Sequence, residues 1–229
     1  MPDRGKQGKA GSDPEEVGEG IWVEVLPPDR VPGFAGKPAL FLDRDGVVVE
    51  DVGYLHRPGD LHLLSGAADL LARAAERGLP RVLVTNQSGI GRGLYDWSDF
   101  RLIQRAILEA LEEAAPGAGF DLVLACPFHA EAKPPYRHPN HPFRKPNPGM
   151  LLHAGRLFGL DLARSWIVGD RALDLAAGRA AGLAGGLLIV GAADNGEQDA
   201  VERLARPDFE VRVGESLAAA LALPLFGAR

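Results

Sequence analysis

Five short apolar runs, each divided from the next by helix-like sequence or a long loop, constrain this chain more than any other feature. They are PALFLD (38–43), PRVLVTN (80–86), DLVLAC (121–126), SWIVGD (165–170) and GGLLIV (185–190). The segment 66–78 reads as a helix closed by Gly78 just past its end. From Trp97 to Ala115, the residues Phe100, Ile103, Ile107, Leu111 and Ala114 fall on one face of an amphipathic helix. Further helices are expected over 148–158 and 171–181, followed by a weaker helix–strand–helix tail over 197–205, 208–212 and 215–222. Apolar runs without in/out alternation belong to strands buried on both faces, and strands alternating with helices build a parallel sheet covered on both sides. The expected fold class is therefore α/β, a doubly wound Rossmann-like parallel sheet forming a single domain over 38–229.

Composition narrows the function. The 229 residues are 46% hydrophobic and 24% charged, ordinary for a globular chain with a sizeable core. A net charge of −6 argues against a general nucleic-acid binder, which needs a basic footprint. The single cysteine excludes an internal disulfide framework and suits a reducing compartment. Residues 1–20 carry charge without an apolar core, unlike a signal peptide; they read as a disordered tail, and 21–37 as an extended arm on the domain. The apolar stretch 180–193 is too short to span a bilayer. These features predict a cytoplasmic protein without membrane or nucleic-acid partners; a monomer is favoured, with the oligomeric state left open.

Ligands on doubly wound folds sit at the carboxyl ends of the strands. Those ends here read Asp43-Arg44-Asp45-Gly46, Thr85-Asn86-Gln87-Ser88 and Gly169-Asp170-Arg171, with Asp174 four residues on, while the loop after the third run ends in Arg144-Lys145-Pro146. Taken singly each is weak: a lone D-x-D is usually a solvated turn, and acids favour helix N-termini. Together they suit phosphoryl transfer with a divalent cation. Asp43 would be the nucleophile and Asp45 the general acid/base. Mg²⁺ would be held by Asp43, the Asp45 backbone carbonyl and Asp170. Thr85 and Lys145 would surround the charge on the transferring group.

The segments FLDRDGVV, DVGY, LVTNQSGIGRG and RKPNPGM resemble the haloacid dehalogenase (HAD) superfamily of phosphohydrolases, over about residues 38–192. Within it they are similar to the subfamily of heptose bisphosphate and histidinol phosphate phosphatases. The resemblance implies a capless HAD fold, an aspartyl-phosphate intermediate on Asp43, and substrate contacts at Arg44, Asp51, Gly53, Tyr54, Thr85, Asn86, Gln87, Ser88, Arg144, Lys145 and Arg171. It implies a small phosphorylated sugar as substrate, with hydrolysis of the 7-phosphate of D-glycero-D-manno-heptose 1,7-bisphosphate expected. Histidinol phosphate, or another small phosphate ester, is the alternative. A non-catalytic binding module would have lost a catalytic group, and none of Asp43, Asp45, Lys145 and Asp170 is missing. No G-x-G-x-x-G follows the first strand, which argues against a dinucleotide enzyme.

One loop departs from that subfamily, which usually carries a zinc site after the third strand. Here the loop reads CPFHAEAKPPYRHPNHPFRKP, with Phe128 and Phe143 at two ligand positions. Cys126, His129, His138 and His141 could still offer a Cys/His₃ set for Zn²⁺. The favoured alternative is that zinc has given way to apolar contact. The loop is also basic, with Lys133, Arg137, Arg144 and Lys145 against Glu131, a rim that would draw anions into a cleft.

Overall fold

The computed structural model describes residues 16–17, 20–27, 33–190 and 196–227. Its centre is a sheet built from β1 (Glu16–Val17), β2 (Ile21–Val25), β3 (Leu40–Leu42), β4 (Arg81–Asn86), β5 (Leu122–Cys126), β6 (Trp166–Gly169), β7 (Gly185–Ile189) and β8 (Glu210–Gly214), in the order β1-β2-β5-β4-β3-β6-β7-β8. From β5 to β8 every pairing is parallel. The chain winds outward from β3 through β4 to β5, then crosses back to β6 and winds the other way. The reversal of winding lies beside β3, and a crevice opens there at the strands' carboxyl ends.

The helices are α1 (Ala67–Glu76), α2 (Ser88–Arg92), α3 (Trp97–Ala114), α4 (Gly149–Phe158), α5 (Ala172–Ala180) and α6 (Glu197–Glu202). Alternate residues of each inner strand feed two separate cores. Leu40, Leu42, Leu83, Val123 and Ala125 pack with α1 and α3, while Phe41, Val82, Val84, Leu122 and Leu124 pack with α4 and α5. That is why the runs showed no polar alternation: both faces are dry. Helix α3 begins with a capping box in which the Asp96 carboxylate accepts from Ser98 N at 2.8 Å and Asp99 N at 3.1 Å, and Asp99 accepts from Asp96 N at 3.0 Å. Its buried face carries Phe100, Ile103, Ile107 and Leu111, whereas Ala114, the last residue of the helix, is exposed.

Three corrections concern the edges of the domain. The arm at 21–37 does more than lie on the surface: β2 adds to the sheet antiparallel to β5, pairing Trp22 with Ala125 and Val25 with Leu122. Trp22 then stacks on Trp97 at 5.5 Å, and Arg101 lies over its ring. Of the expected disordered tail, Glu16–Val17 form β1, and the rest, apart from Gly20, lies outside the described residues. The final helix at 215–222 is a 3₁₀ segment, Leu217–Ala222. Between β3 and α1, and after β4, the chain inserts only loops and the short α2; the fold is capless. No helix among the described residues is long and apolar enough to cross a membrane.

Candidate active site

Asp43 follows β3 directly, its N–H donating to the Val168 carbonyl of β6 at 3.0 Å. Across the crevice Lys145 is 1% exposed, and three oxygens surround its ammonium at 2.7 Å: Asp43 Oδ1, Asp174 Oδ1 and the Val84 carbonyl. The ammonium donates to Asp43 Oδ1 and the Val84 carbonyl and lies in ion-pair contact with Asp174 Oδ1, which together fix it in place. Asn86 braces the same residue through its backbone, donating to the Lys145 carbonyl and accepting from its N–H, both at 3.1 Å. Burial alone would lower the Lys145 pKa, but Asp174 and Asp43 outweigh it and hold the ammonium above its usual value.

The carboxylates of Asp43, Asp170 and Asp174 offer ligand oxygens that all lie within 4.8 Å of one another. Burial pushes the Asp43 carboxyl up to about 7; Lys145 opposes the rise, and Asp174 and Asp45 add to it. Burial and then the charge of Asp174 likewise raise Asp170 to about 7. Asp170 Oδ1 is buried without a hydrogen-bond partner among the described residues. Three converging acids, one cation and an orphaned oxygen suit a hard divalent ion with oxygen ligands, and Mg²⁺ fits that donor set. Asp174, fully buried on the first turn of α5, belongs to this cluster although only Asp43, Asp45 and Asp170 were expected to hold the ion.

Gly46 makes the cluster sterically feasible. Its φ is +80°, and a Cβ there would sit 2.3 Å from Asp170 Oδ2. Gly46→Ala is expected to displace Asp170 and lower kcat by about 100-fold, with the circular dichroism spectrum unchanged; steady-state phosphate release measures it.

Asp45 points into a different network. Its Oδ1 accepts from Arg44 Nε at 3.1 Å and Nη2 at 2.9 Å, and its Oδ2 from Arg44 Nη2 and Gln87 Nε2, both at 3.0 Å. Gln87 also donates to Thr85 Oγ1 at 2.7 Å, and its Oε1 accepts from Arg44 Nη2 at 3.1 Å and from the Tyr95 hydroxyl. Arg44 and Gln87, expected to face substrate, are only 1% and 2% exposed. They form the floor beneath Asp45 rather than the wall of a pocket. Tyr95 was not anticipated; its place at the end of the G-x-G-R-G-x-Y segment gave no chemical signal.

The rim is looser. Asp51 accepts from Gly53 N at 2.8 Å in a tight exposed turn, and Tyr54 beside it is exposed. Ser88, half-buried, opens α2, and Arg171 is exposed near Glu197. Arg92, at the end of α2, donates to the Tyr54 hydroxyl at 3.1 Å and to Glu131 at 2.9 Å. Arg92 lies inside the run after β4, and the short α2, which no expected element covers, turns it toward the rim. Arg144 is half-buried and donates to the Phe128 carbonyl at 3.1 Å; desolvation lowers its pKa, as does the positive charge of Arg92 nearby.

The four residues considered for zinc stand apart. Cys126 is buried in the apolar core with Ile21 and Phe143, and burial raises its thiol to about 11. His129 lies against Arg92, and its Nδ1 accepts from Glu131 N at 3.1 Å; His138 accepts from Asn140 N at 3.2 Å. His141 stacks flat on Phe128, with ring centroids 3.6 Å apart. No three of the four bring ligand atoms together. Aromatic packing of Phe128 with Tyr136 and His141 occupies the middle of this loop, and these residues do not fit a zinc ion.

Comparison with known proteins agrees with the geometry. A family model described as HAD-hydrolase-like matches residues 142–220. The chain is 44% identical over 198 residues to a D-glycero-beta-D-manno-heptose-1,7-bisphosphate 7-phosphatase of Mesorhizobium japonicum, covering 84% of this chain and 82% of that one. It is 42% identical over 151 residues to a D-glycero-alpha-D-manno-heptose-1,7-bisphosphate 7-phosphatase of Burkholderia mallei, covering 66% and 79%. A HAD-like phosphatase of Mesorhizobium loti superposes with a TM-score of 0.80 at 40% identity, over 93% of this chain and 97% of that one. The D,D-heptose 1,7-bisphosphate phosphatase of B. bronchiseptica, solved with magnesium and phosphate, gives 0.66 at 33%, over 81% and 96%. The carboxylate–lysine cluster at the switch point of a capless sheet, and a relative 44% identical over 84% of the chain, place this chain in the HAD-like phosphatase family, as a hydrolase of phosphomonoesters.

Proposed function

We propose that the chain removes the 7-phosphate of D-glycero-D-manno-heptose 1,7-bisphosphate in a Mg²⁺-dependent reaction through an aspartyl phosphate on Asp43. The observation that carries the chemistry is Lys145 Nζ held 2.7 Å from both Asp43 and Asp174 beside an unpartnered Asp170 oxygen. The names and the coverage of the relatives support the substrate. Mg²⁺ bound by Asp43, Asp170 and Asp174 would neutralise the carboxylates and polarise the phosphoryl oxygens.

The protein's own groups divide the work between two half-reactions. Asp43 attacks phosphorus with one carboxylate oxygen. The bond from phosphorus to O7 of the sugar breaks, its electron pair leaves with O7, and Asp45, protonated and turned out of its hydrogen bonds to Arg44 and Gln87, supplies the proton. Asp45, now a carboxylate, then takes a proton from water as that water attacks the phosphorus. The acyl-phosphate P–O bond breaks, returning the Asp43 carboxylate and releasing inorganic phosphate. Lys145 orients Asp43 for the attack, and Thr85, tied to Gln87, lines the same end of β4. Arg144 and Arg92, with Tyr54, form a rim suited to the phosphate that is not cleaved, since guanidinium groups match phosphate geometry.

Initial rates of phosphate release from each anomer of the bisphosphate and from histidinol phosphate test this reading. The bisphosphate is expected to be preferred, and Arg144→Ala to raise its KM by roughly 10–100-fold. Preference for histidinol phosphate, which carries an amine and an imidazole in place of a second phosphate, would replace the substrate while leaving the Asp43 chemistry in force.

A further inference from the structure

Arg144 is tethered from two directions, and both tethers lead to Phe128. The guanidinium Nη1 donates to the Phe128 carbonyl at 3.1 Å, while the Arg144 backbone N–H donates to the His141 carbonyl at 2.9 Å. His141 in turn lies on the Phe128 ring, with centroids 3.6 Å apart and planes 7° from parallel. The ring is itself wedged. Tyr136 meets it edge-on at 5.5 Å, and the Gly20 backbone approaches so closely that a Cβ there would lie 3.1 Å from Phe128 Cζ. Tyr136 accepts a hydrogen bond from Trp97 Nε1 at 3.0 Å, and Trp97 stacks on Trp22 of β2. A continuous line of contacts thus runs from β2 and α3 through Tyr136 and Phe128 to the residue just before Lys145.

That line opposes a specific tendency. Arg144 is half-buried and within the field of Arg92, so both desolvation and like charge favour its swinging out to water. A guanidinium in that position needs a firm backbone and a fixed acceptor. The ring of Phe128 secures the first through His141, and its carbonyl supplies the second.

We infer that Phe128 is a positioning residue for Arg144: its stack with His141 presets the guanidinium at the crevice rim and so sets affinity for the second anionic group of the substrate. This rests on the reading of Arg144 as the contact for the uncleaved phosphate. A preset cation spares the ordering cost on binding, so losing the stack weakens binding more than it slows the chemistry.

The test combines Phe128→Ala, Arg144→Ala and the double variant with two substrates, the heptose bisphosphate and p-nitrophenyl phosphate, which has no second phosphate. Phe128→Ala is expected to raise KM for the bisphosphate by about 10-fold with kcat within about threefold, and to leave both constants for p-nitrophenyl phosphate unchanged. In the double variant the Phe128 change should add nothing to Arg144→Ala, because the two act as one unit. Additive effects, an unchanged KM, or an equal fall of kcat on both substrates would overturn the proposal. Should Arg144→Ala itself leave the bisphosphate KM unchanged, the distal-phosphate reading fails, and amide hydrogen exchange then decides the tether alone. Exchange over 141–147 should rise by about tenfold in Phe128→Ala with β3, β4 and β6 unaffected; unaltered exchange there means that Phe128 does not hold Arg144.

Discussion

Asp43→Asn is expected to abolish phosphate release, by a factor of at least about 10⁴, in a protein that folds normally. A carboxamide has the carboxylate's shape but is not a nucleophile toward phosphorus, so the covalent half-reaction cannot begin. The substitution also removes one charge from a cluster of three acids, Asp43, Asp170 and Asp174, that share a buried space with Lys145. In the absence of metal that cluster is crowded with negative charge: burial, and then the charge of Asp174, raise both Asp43 and Asp170 to about 7. The variant should therefore melt at or above the wild-type temperature in EDTA while losing its turnover. Calorimetry and a phosphate-release assay on one preparation measure both. A variant that melts far lower would show that Asp43 matters for packing rather than for attack.

Lys145→Met should damage both stability and catalysis. Methionine fills the space of the lysine stem but leaves Asp43 and Asp174 facing each other without the cation now 2.7 Å from each. Breaking a buried ion pair by removing one partner costs about 3–5 kcal/mol, which in a chain of this length lowers Tm by about 10 °C. The rate should fall by about 10²–10³-fold, the scale seen when a preorganised charge at a reacting group is lost. Lys145→Met with Asp174→Asn separates the two effects. Removing the second unpaired acid should recover part of the lost stability and none of the lost activity. Equal recovery of both would mean that Lys145 acts only as a structural counter-ion.

The contrast between those residues and the rim shows what the sequence could disclose. Strands β3 to β7 were legible because burial on both faces leaves unbroken apolar runs. Asp43 and Asp170 were legible as acids at strand ends because a doubly wound sheet delivers those ends to one crevice, whereas Thr85 beside them is buried and engaged by Gln87. The same logic failed where an outcome depended on side-chain direction. Arg44 and Asp45 are adjacent in sequence, yet Arg44 turns inward to clasp Asp45 and packs over Phe100. Gln87 likewise faces Thr85 and Asp45 instead of the crevice opening.

Longer-range pairing was less legible still. The β2 segment Ile21–Val25 is short and followed by prolines, so nothing local told that it would join β5 antiparallel and place Gly20 against Phe128. Asp174 was visible four residues after Asp170, but its part in the carboxylate cluster depends on the first turn of α5. The loop from Cys126 to Lys145 carried ligand-type residues at metal-like spacing. Its rings stack on one another, and the thiol faces the core, an outcome set by three-dimensional packing that spacing does not encode.

The most direct measurement is acid quenching during turnover of heptose bisphosphate carrying ³²P in its 7-phosphate, followed by peptide mapping. A phosphoryl group carried on Asp43 predicts label on the peptide containing Asp43, lost on a chase with unlabelled substrate and absent in Asp43→Asn. Full turnover with no label reaching the protein at any time, together with an active Asp43→Asn enzyme, would contradict it.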